Sequence, residues 1–238
     1  YACQYVLNGG GTPVGVVSSA DKVDLLHELG VEAVIDRKAA GYQFWADEHT
    51  QDEKEWRRLG KDIRGLVGRD PEIVFEHPGR QTFGASVFVA ARGGTIVTCA
   101  ATSGFMIEYD NRHLWMKLKS IVSSHFANYQ EAWNMNRLID QGRIQPVMSD
   151  SYDLVDDGEA ARAVHRNEAE GKLAGRCLAP STKTRATTRS IASGARYSRI
   201  SSTTTTATAS CPSASNRSAA RTWTGRGSTP SVSICPLT

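Results

Sequence analysis

Apolar positions along this chain fall in short clusters closed by glycine or proline, and the spacing within the clusters alternates between helical and extended. Tyr1–Leu7 carries helical spacing and stops at Asn8-Gly9-Gly10-Gly11, a helix C-terminal signal. Thr12–Ser18 is continuous, apolar and β-branched, which predicts a buried strand with Pro13 tolerated at its start. Ser19 is placed to cap a helix whose apolar positions are Val23, Leu25, Leu26 and Leu29 and which Gly30 closes. Val31–Asp36 is a second short strand. Strand, helix and strand at this spacing predict a parallel sheet.

Residues 37–56 interrupt the pattern with Tyr42, Phe44, Trp45, His49 and Trp56 among many charges. Helical spacing returns over about 52–67, with Trp56, Leu59, Ile63, Leu66 and Val67 on one face. A strand over Glu72–Glu76 is halted by His77-Pro78-Gly79. A helix over 80–91 ends at Gly93-Gly94, and a strand over Thr95–Ala100 opens into the small-residue loop 101–104. A short helix over 111–119 leads into the β-rich run Ile121–Ser124 and then His125. Helices over 128–141 and 156–170 and a last strand at Gly175–Ala179 complete the pattern. The fold class is α/β, a Rossmann-like parallel sheet with helices on both faces. A Gly-x-Gly-x-x-Gly turn from strand to helix is missing, since Gly9-Gly10-Gly11 follows a helix instead. The sheet is therefore expected to lack its first strand and glycine loop, and the chain to begin inside a longer protein.

Charge divides the chain. The net charge is +3, yet residues 181–238 hold eight Lys and Arg and no acid, which leaves −5 for the rest. The same segment has 13 Ser and 13 Thr and no apolar periodicity, so it cannot bury enough surface to offset its ordering entropy. Three readings stand: a basic nucleic-acid-binding arm, a disordered extension, or translation in the wrong frame. Scattered arginines count against nucleic acid. Abrupt loss of all acids at Pro180 fits the frame shift. Cys3, Cys99, Cys177, Cys211 and Cys235 form no Cys-x-x-Cys pair, so neither a zinc site nor a disulfide framework is indicated. No apolar run reaches the ~20 residues of a membrane span, and a reduced cytoplasm is expected.

Candidate chemistry gathers where strands should end, because ligands of open α/β sheets sit beyond the carboxyl ends. Ser18, Ser19 and Lys22, with Arg37 past the next strand, offer hydroxyls and cations to a phosphate dianion. The alternative is an N-cap serine and a solvated lysine. Glu76-His77-Pro78-Gly79 and Cys99–Gly104, including Thr102, end adjacent strands and leave room for a flat ring, or are ordinary turns. Arg112 and His113 begin a basic cluster with Lys117 that either holds phosphates or is a solvated helix face. His125 ends the β-rich run; without a partner it reads as a satisfied core or interface histidine. No Ser, Cys or acid stands at triad spacing from it. His27, His49 and His165 read as surface residues.

Several runs resemble one family. They are Gly41–Trp45, Asp47–Asp52, Val74–Arg80, Thr82–Ser86, Tyr109–Arg112 and Ser124–Tyr129 (Ser-His-Phe-Ala-Asn-Tyr), and they look like crotonyl-CoA carboxylase/reductase, a zinc-independent member of the medium-chain dehydrogenase/reductase superfamily. The resemblance covers about residues 1–180. It implies a partial Rossmann NADPH-binding domain over 1–150 and a return toward a GroES-like substrate domain over 151–180. The tail, 181–238, stands apart. The resemblance also implies hydride transfer from NADPH to the β-carbon of a 2-enoyl-CoA, then capture of carbon dioxide at the α-carbon. Ser18, Ser19 and Lys22 match the site of the NADPH 2′-phosphate, and Arg112 matches a contact to the CoA adenosine phosphate. His125 aligns with a histidine of the carbon dioxide pocket. A homo-oligomer without bound metal is expected, and this piece alone is expected to be inactive. A plain enoyl-thioester or quinone reductase, and a non-catalytic remnant with a basic binding tail, are the alternatives.

Overall fold

The computed structural model of the chain describes residues 1–166, 168–169 and 171–177, and the main chain of 231–234. The first elements are α1 (Ala2–Asn8), β1 (Thr12–Val17), α2 (Ala20–Glu28), β2 (Ala33–Asp36), α3 (Glu53–Val67), β3 (Ile73–Glu76) and α4 (Phe83–Val89). There follow β4 (Thr95–Thr98), α5 (Arg112–Trp115), β5 (Ser120–Ser123), α6 (Tyr129–Asp140), β6 (Met148–Asp153), α7 (Asp157–His165), β7 (Lys172–Arg176) and β8 (Ser231–Ile234). The main sheet has the order β2-β1-β8-β3-β4-β5, and each adjacent pair is parallel. This is the α/β, Rossmann-like architecture that the alternating pattern predicts.

Alternate residues of each strand serve opposite faces. Ala33 and Ile35 of β2 and Val74 of β3 enter the larger core, with Val14, Val16, Trp56, Leu59, Ile63, Phe83 and Ile96. Val34 and Phe75 turn to the other face, where Cys3, Val31, Val6 and Leu26 pack. Helix α3 fits its place because Trp56, Leu59, Gly60 and Ile63 lie on one buried stripe while the rest of the helix is charged. Asp52 caps it by accepting from the Lys54 N–H, and Gly68 ends it at φ 77°.

Contacts divide the described chain into two units. One is formed by Tyr1–Gln145 with β8, and the second begins at Pro146. The second contains the parallel pair β6–β7, with α7 packed on β7. There the Arg176 guanidinium donates to an Asp153 carboxylate oxygen and to the Ser151 hydroxyl.

Boundaries shift where local chemistry outweighs periodicity. The helix expected over 80–91 is α4, Phe83–Val89, because Gly79 to Thr82 are held in a turn. The helix expected over 111–119 is a single turn, since Leu118 takes φ 53°. β6 was not expected: Met-Ser-Asp-Ser-Tyr-Asp lacks strand composition, and its pairing with β7 makes it a strand. β7 begins at Lys172, three residues before the expected start, and the far end of the expected strand, with residues 167 and 170 of the expected last helix, lies outside the described residues. Within the segment read as lacking periodicity, Ser231–Ile234 forms β8 at the sheet's centre, the position of the strand expected to be missing. The remaining expectations for 181–238 also lie outside the described residues.

Candidate functional site

Two strands meet at the first corner. β1 ends at Val17, and Ser18 follows it buried. Ser19 stands at the N-cap of α2, but its hydroxyl makes no capping bond. One turn on, the Lys22 ammonium reaches the Ser18 hydroxyl at 3.5 Å. Arg37 leaves β2 with its backbone N–H donating to the Val17 carbonyl at 2.9 Å, which fastens it beside the end of β1. Its side-chain Nε is buried and has no hydrogen-bond partner. The Lys22 ammonium and the Ser18 hydroxyl thus meet at the end of β1, where the main chain of Arg37 is fastened, and the buried Arg37 N–H left unused fits an anion with several acceptor oxygens.

The ends of β3 and β4 form one knitted surface. Glu76 is fully buried, and its carboxylate accepts from the Gly79 N–H at 2.9 Å, the Thr82 hydroxyl at 2.8 Å and the Ser86 hydroxyl. It therefore shapes the turn from β3 into α4, with its oxygens turned away from solvent. The turn approaches the β4 loop so closely that a Cβ on Gly79, at φ 90°, would lie 2.6 Å from the Gly104 carbonyl oxygen. Ser103 donates twice to the Pro78 carbonyl, at 2.7 Å each, and Gly104 accepts from the Arg80 N–H. Thr102 remains exposed at the tip. The 37–52 excursion closes over this turn. The Arg80 guanidinium lies 4.5 Å from the centre of the Trp45 ring and donates to the Glu48 carbonyl, while the Trp45 indole N–H donates to Gln81. Gln51 adds a second clamp, its side-chain amide donating to the Glu108 carbonyl at 2.9 Å; neither Arg80 nor Gln51 is marked by any periodicity, and their only signal in the sequence is membership of the family-like runs.

His125 is exposed beyond β5 and packs against Phe126, ring centres 4.1 Å apart. Phe126 takes φ 57°, uncommon for a residue with a Cβ, and its side chain is 89% exposed. Asn128 then opens α6 in a capping box with Glu131. The histidine is thus set on a short, sharply turned bridge between a strand and a capped helix.

Arg112 and His113 part company. The exposed Arg112 guanidinium grips Asp110 at 2.5 Å and stands 3.8 Å from Glu53. It holds the Asp110 carboxyl down at about 2. His113 is packed edge-on to Phe88, with ring centres 4.8 Å apart, and against Trp56. Burial pushes its pKa down. Packing, rather than ligand contact, is what its position provides.

Among the described residues, one group brings three potential metal-ligand atoms within 4.8 Å of each other: Glu53, Asp110 and His113. The Arg112 guanidinium already pairs with both acids, and the set contains no cysteine. It fits a guanidinium better than a dehydrogenase zinc ion.

The parallel sheet and its helices define an α/β, Rossmann-like unit. A family model for zinc-binding dehydrogenases matches residues 1–141, and the chain belongs to that family. Within it, the chain is 60% identical over 181 residues to a crotonyl-CoA reductase of Streptomyces collinus, covering 76% of this chain and 40% of that protein. It is 35% identical over 192 residues to a crotonyl-CoA carboxylase/reductase of Cereibacter sphaeroides, with 76% and 44% covered. A 2-octenoyl-CoA carboxylase reductase solved with NADP and 2-octenoyl-CoA superposes with a TM-score of 0.70 at 48% identity, covering 76% of this chain and 41% of that one. These findings bear out the resemblance carried by the aromatic and histidine runs. The chain spans about two-fifths of the length of the curated relatives it matches.

Proposed function

We propose that this chain is the dinucleotide-binding part of an NADPH-dependent reductive carboxylase of 2-enoyl-CoA, converting crotonyl-CoA to ethylmalonyl-CoA in its whole form. The observation that carries the reading is the corner of Ser18, Lys22 and Arg37, assembled in a chain 60% identical to a crotonyl-CoA reductase. Ser18, Ser19, Lys22 and Arg37 hold the 2′-phosphate of NADPH, which supplies hydride to the β-carbon of the enoyl thioester. The knitted turn of Glu76 and the Thr102 loop shape the surface for the dinucleotide, and Arg112 faces a phosphate of CoA. His125 offers an N–H to the oxygen of carbon dioxide as the substrate's α-carbon forms the new bond, which stabilises the carboxylate as it develops. The chemistry needs no metal. A homo-oligomer is supported by the exposed edge strand β5 and the turn after it, where Ile121 and Val122 of the strand stand 36% and 49% exposed and Phe126 of the turn 89%. Among the described residues no helix is long and apolar enough to cross a membrane, and a cytoplasmic site of action accords with the reaction.

The name "crotonyl-CoA reductase" of two relatives favours a second reading, reduction without carboxylation. A titration of the chain with NADPH and NADH tests the cofactor. NADPH is expected to bind at least about tenfold more tightly, and equal affinity rejects the 2′-phosphate corner. In a full-length relative carrying this segment, His125→Asn is expected to depress carboxylation more than simple reduction; equal loss of both removes His125 from the carbon dioxide role.

A further inference from the structure

Tyr109 and Leu114 are anchored in the core, and the charged residues between them are displayed outward. Tyr109 packs on the buried Phe83, with ring centres 5.7 Å apart, and Leu114 packs on the same cluster. Between these anchors lie Asp110, Arg112 and His113. The Arg112 Nε–H donates to both Asp110 oxygens at 3.0 Å, and a terminal nitrogen donates to Oδ2 at 2.5 Å. Asp110 Oδ1 also accepts from the Arg112 backbone N–H at 2.9 Å, which fixes the carboxylate at the start of α5.

The same carboxylate has a second neighbour. His113 Nε2 lies 3.8 Å from Asp110 Oδ2, beyond hydrogen-bonding distance, and it is buried with no partner. A buried polar nitrogen in that state is costly, and the acceptor beside it is taken up by Arg112. Glu53, 3.8 Å from the guanidinium, already holds Arg57 at 2.8 Å. Of the three side chains, Arg112 is the one that solvent reaches: it is 69% exposed, against 18% for Asp110 and 21% for His113. Carboxylate, guanidinium and imidazole thus form a set with one pairing made and a second a short step away.

A ligand that takes the guanidinium releases the carboxylate to the imidazole. To displace a carboxylate gripped along its whole edge, that ligand must offer more charge than a carboxylate. A phosphate monoester does, at roughly −1.5 to −2 near neutral pH. On CoA that group is the 3′-phosphate, because the bridging diphosphate spreads a single charge over each phosphorus.

We propose that Asp110 is an exchangeable counter-ion. It holds Arg112 in the free chain, and when the CoA 3′-phosphate draws the guanidinium away it accepts instead from the Nε2–H of His113. The inference rests on the reading of Arg112 as a CoA phosphate contact and adds what that contact displaces.

The test titrates CoA and 3′-dephospho-CoA into the full chain and into its Arg112→Ala, Asp110→Asn and His113→Phe variants. Asparagine keeps an oxygen for the Arg112 backbone N–H, and phenylalanine keeps the packing against Phe88 and Trp56. The wild-type chain should bind CoA about tenfold more tightly than 3′-dephospho-CoA, and Arg112→Ala should erase the difference. Asp110→Asn should tighten CoA about threefold or more and leave 3′-dephospho-CoA unchanged, since the phosphate no longer competes with a carboxylate. His113→Phe should weaken CoA by a similar factor, and should have no effect once Asp110 is replaced, as for two residues that share one interaction. In the unsubstituted chain the His113 Nε2–H resonance should move downfield, as for a new hydrogen bond to a carboxylate, with CoA and not with 3′-dephospho-CoA. Equal binding of the two coenzymes by the wild-type chain, absent binding included, removes Arg112 from the CoA phosphate and overturns both that reading and the exchange. A preference for CoA that Arg112→Ala erases, with Asp110→Asn weakening CoA, keeps the reading and overturns the exchange: Asp110 then only orients the guanidinium. Additive effects of the Asp110 and His113 substitutions, or an unmoved His113 resonance, also overturn the exchange alone, and the resonance decides where a variant fails to fold.

Discussion

The carboxyl ends of β3 and β5 carry runs of similar distinctiveness, Phe75–Arg80 and Ser124–Asn128, and the fold treats them in opposite ways. The β3 end is built inward. Glu76 is wholly buried with three donors, and its turn is tied to the β4 loop and to the 37–52 excursion. The β5 end is built outward, with each residue from Ser120 to Glu131 exposed and Tyr129 at 97%. What anchors β5 is its pairing with β4 and the buried Lys119 at its start, whose ammonium donates to the Val87 and Phe88 carbonyls at the end of α4. The first region carries its own geometry within this chain. The second presents its chemistry on a surface with little packing of its own.

This contrast fails first if Glu76 proves dispensable. Glu76→Ala leaves two hydroxyls and a backbone N–H buried without their acceptor, and is expected to cost about 3 kcal/mol or more in urea unfolding; Glu76→Gln, which keeps an acceptor oxygen, should cost less. Next comes Gly84→Ala in α4. The new Cβ would lie 2.0 Å from Gln51 Oε1 and 2.7 Å from the Trp56 ring, so roughly 1–3 kcal/mol of stability should be lost. Gln51 also donates to the Glu108 carbonyl, so it is not free to swing away.

The β5 anchor has its own signature. Burial pushes the Lys119 ammonium down to about 8, below the 10.5 of the unfolded chain. The unfolded state therefore binds more protons between those values, and this group's cost to the fold lessens as pH rises from 8 toward 10.5. Between pH 7.5 and 9.5 wild-type stability should gain about 1–2 kcal/mol over Lys119→Met, whose profile lacks this component. At the proposed cofactor corner, Lys22→Ala should weaken NADPH binding about tenfold, or ~1.4 kcal/mol, and leave NADH unchanged. An equal effect on both dinucleotides would make Lys22 a general support of α2. Smallest of all, His125→Asn should alter unfolding by less than ~0.5 kcal/mol, as for an exposed residue outside the packing. A larger loss would show that the β5 end is more firmly built than its exposure indicates.

The placing of the candidate corner was legible in residue order. Ser18, Ser19, Lys22 and Arg37 lie just past two β-branched runs, and parallel pairing of those runs sets the two strand ends side by side. Other roles were hidden because they rest on contacts distant in sequence. Glu76 reads as a residue at a strand end; only the fold of the next ten residues shows Thr82 and Ser86 turning their hydroxyls onto it. Arg112 and His113 are neighbours that look alike as cations, yet one is held by Asp110 in solvent and the other is wedged against Phe88 and Trp56. β6 has no strand composition and exists by pairing with β7.

By itself, then, the order of residues determined the alternation of strand and helix, the parallel sheet, the family, and the strand ends where chemistry gathers, because hydrophobic period and turn residues act within a few positions of themselves. Tertiary structure alone decided which of those residues face solvent, that Glu76 holds a turn, and that Ser231–Ile234 lies between β1 and β3. Those outcomes depend on backbone and side-chain partners brought from far along the chain, and on the cost of leaving buried polar groups unpaired, which no local pattern records.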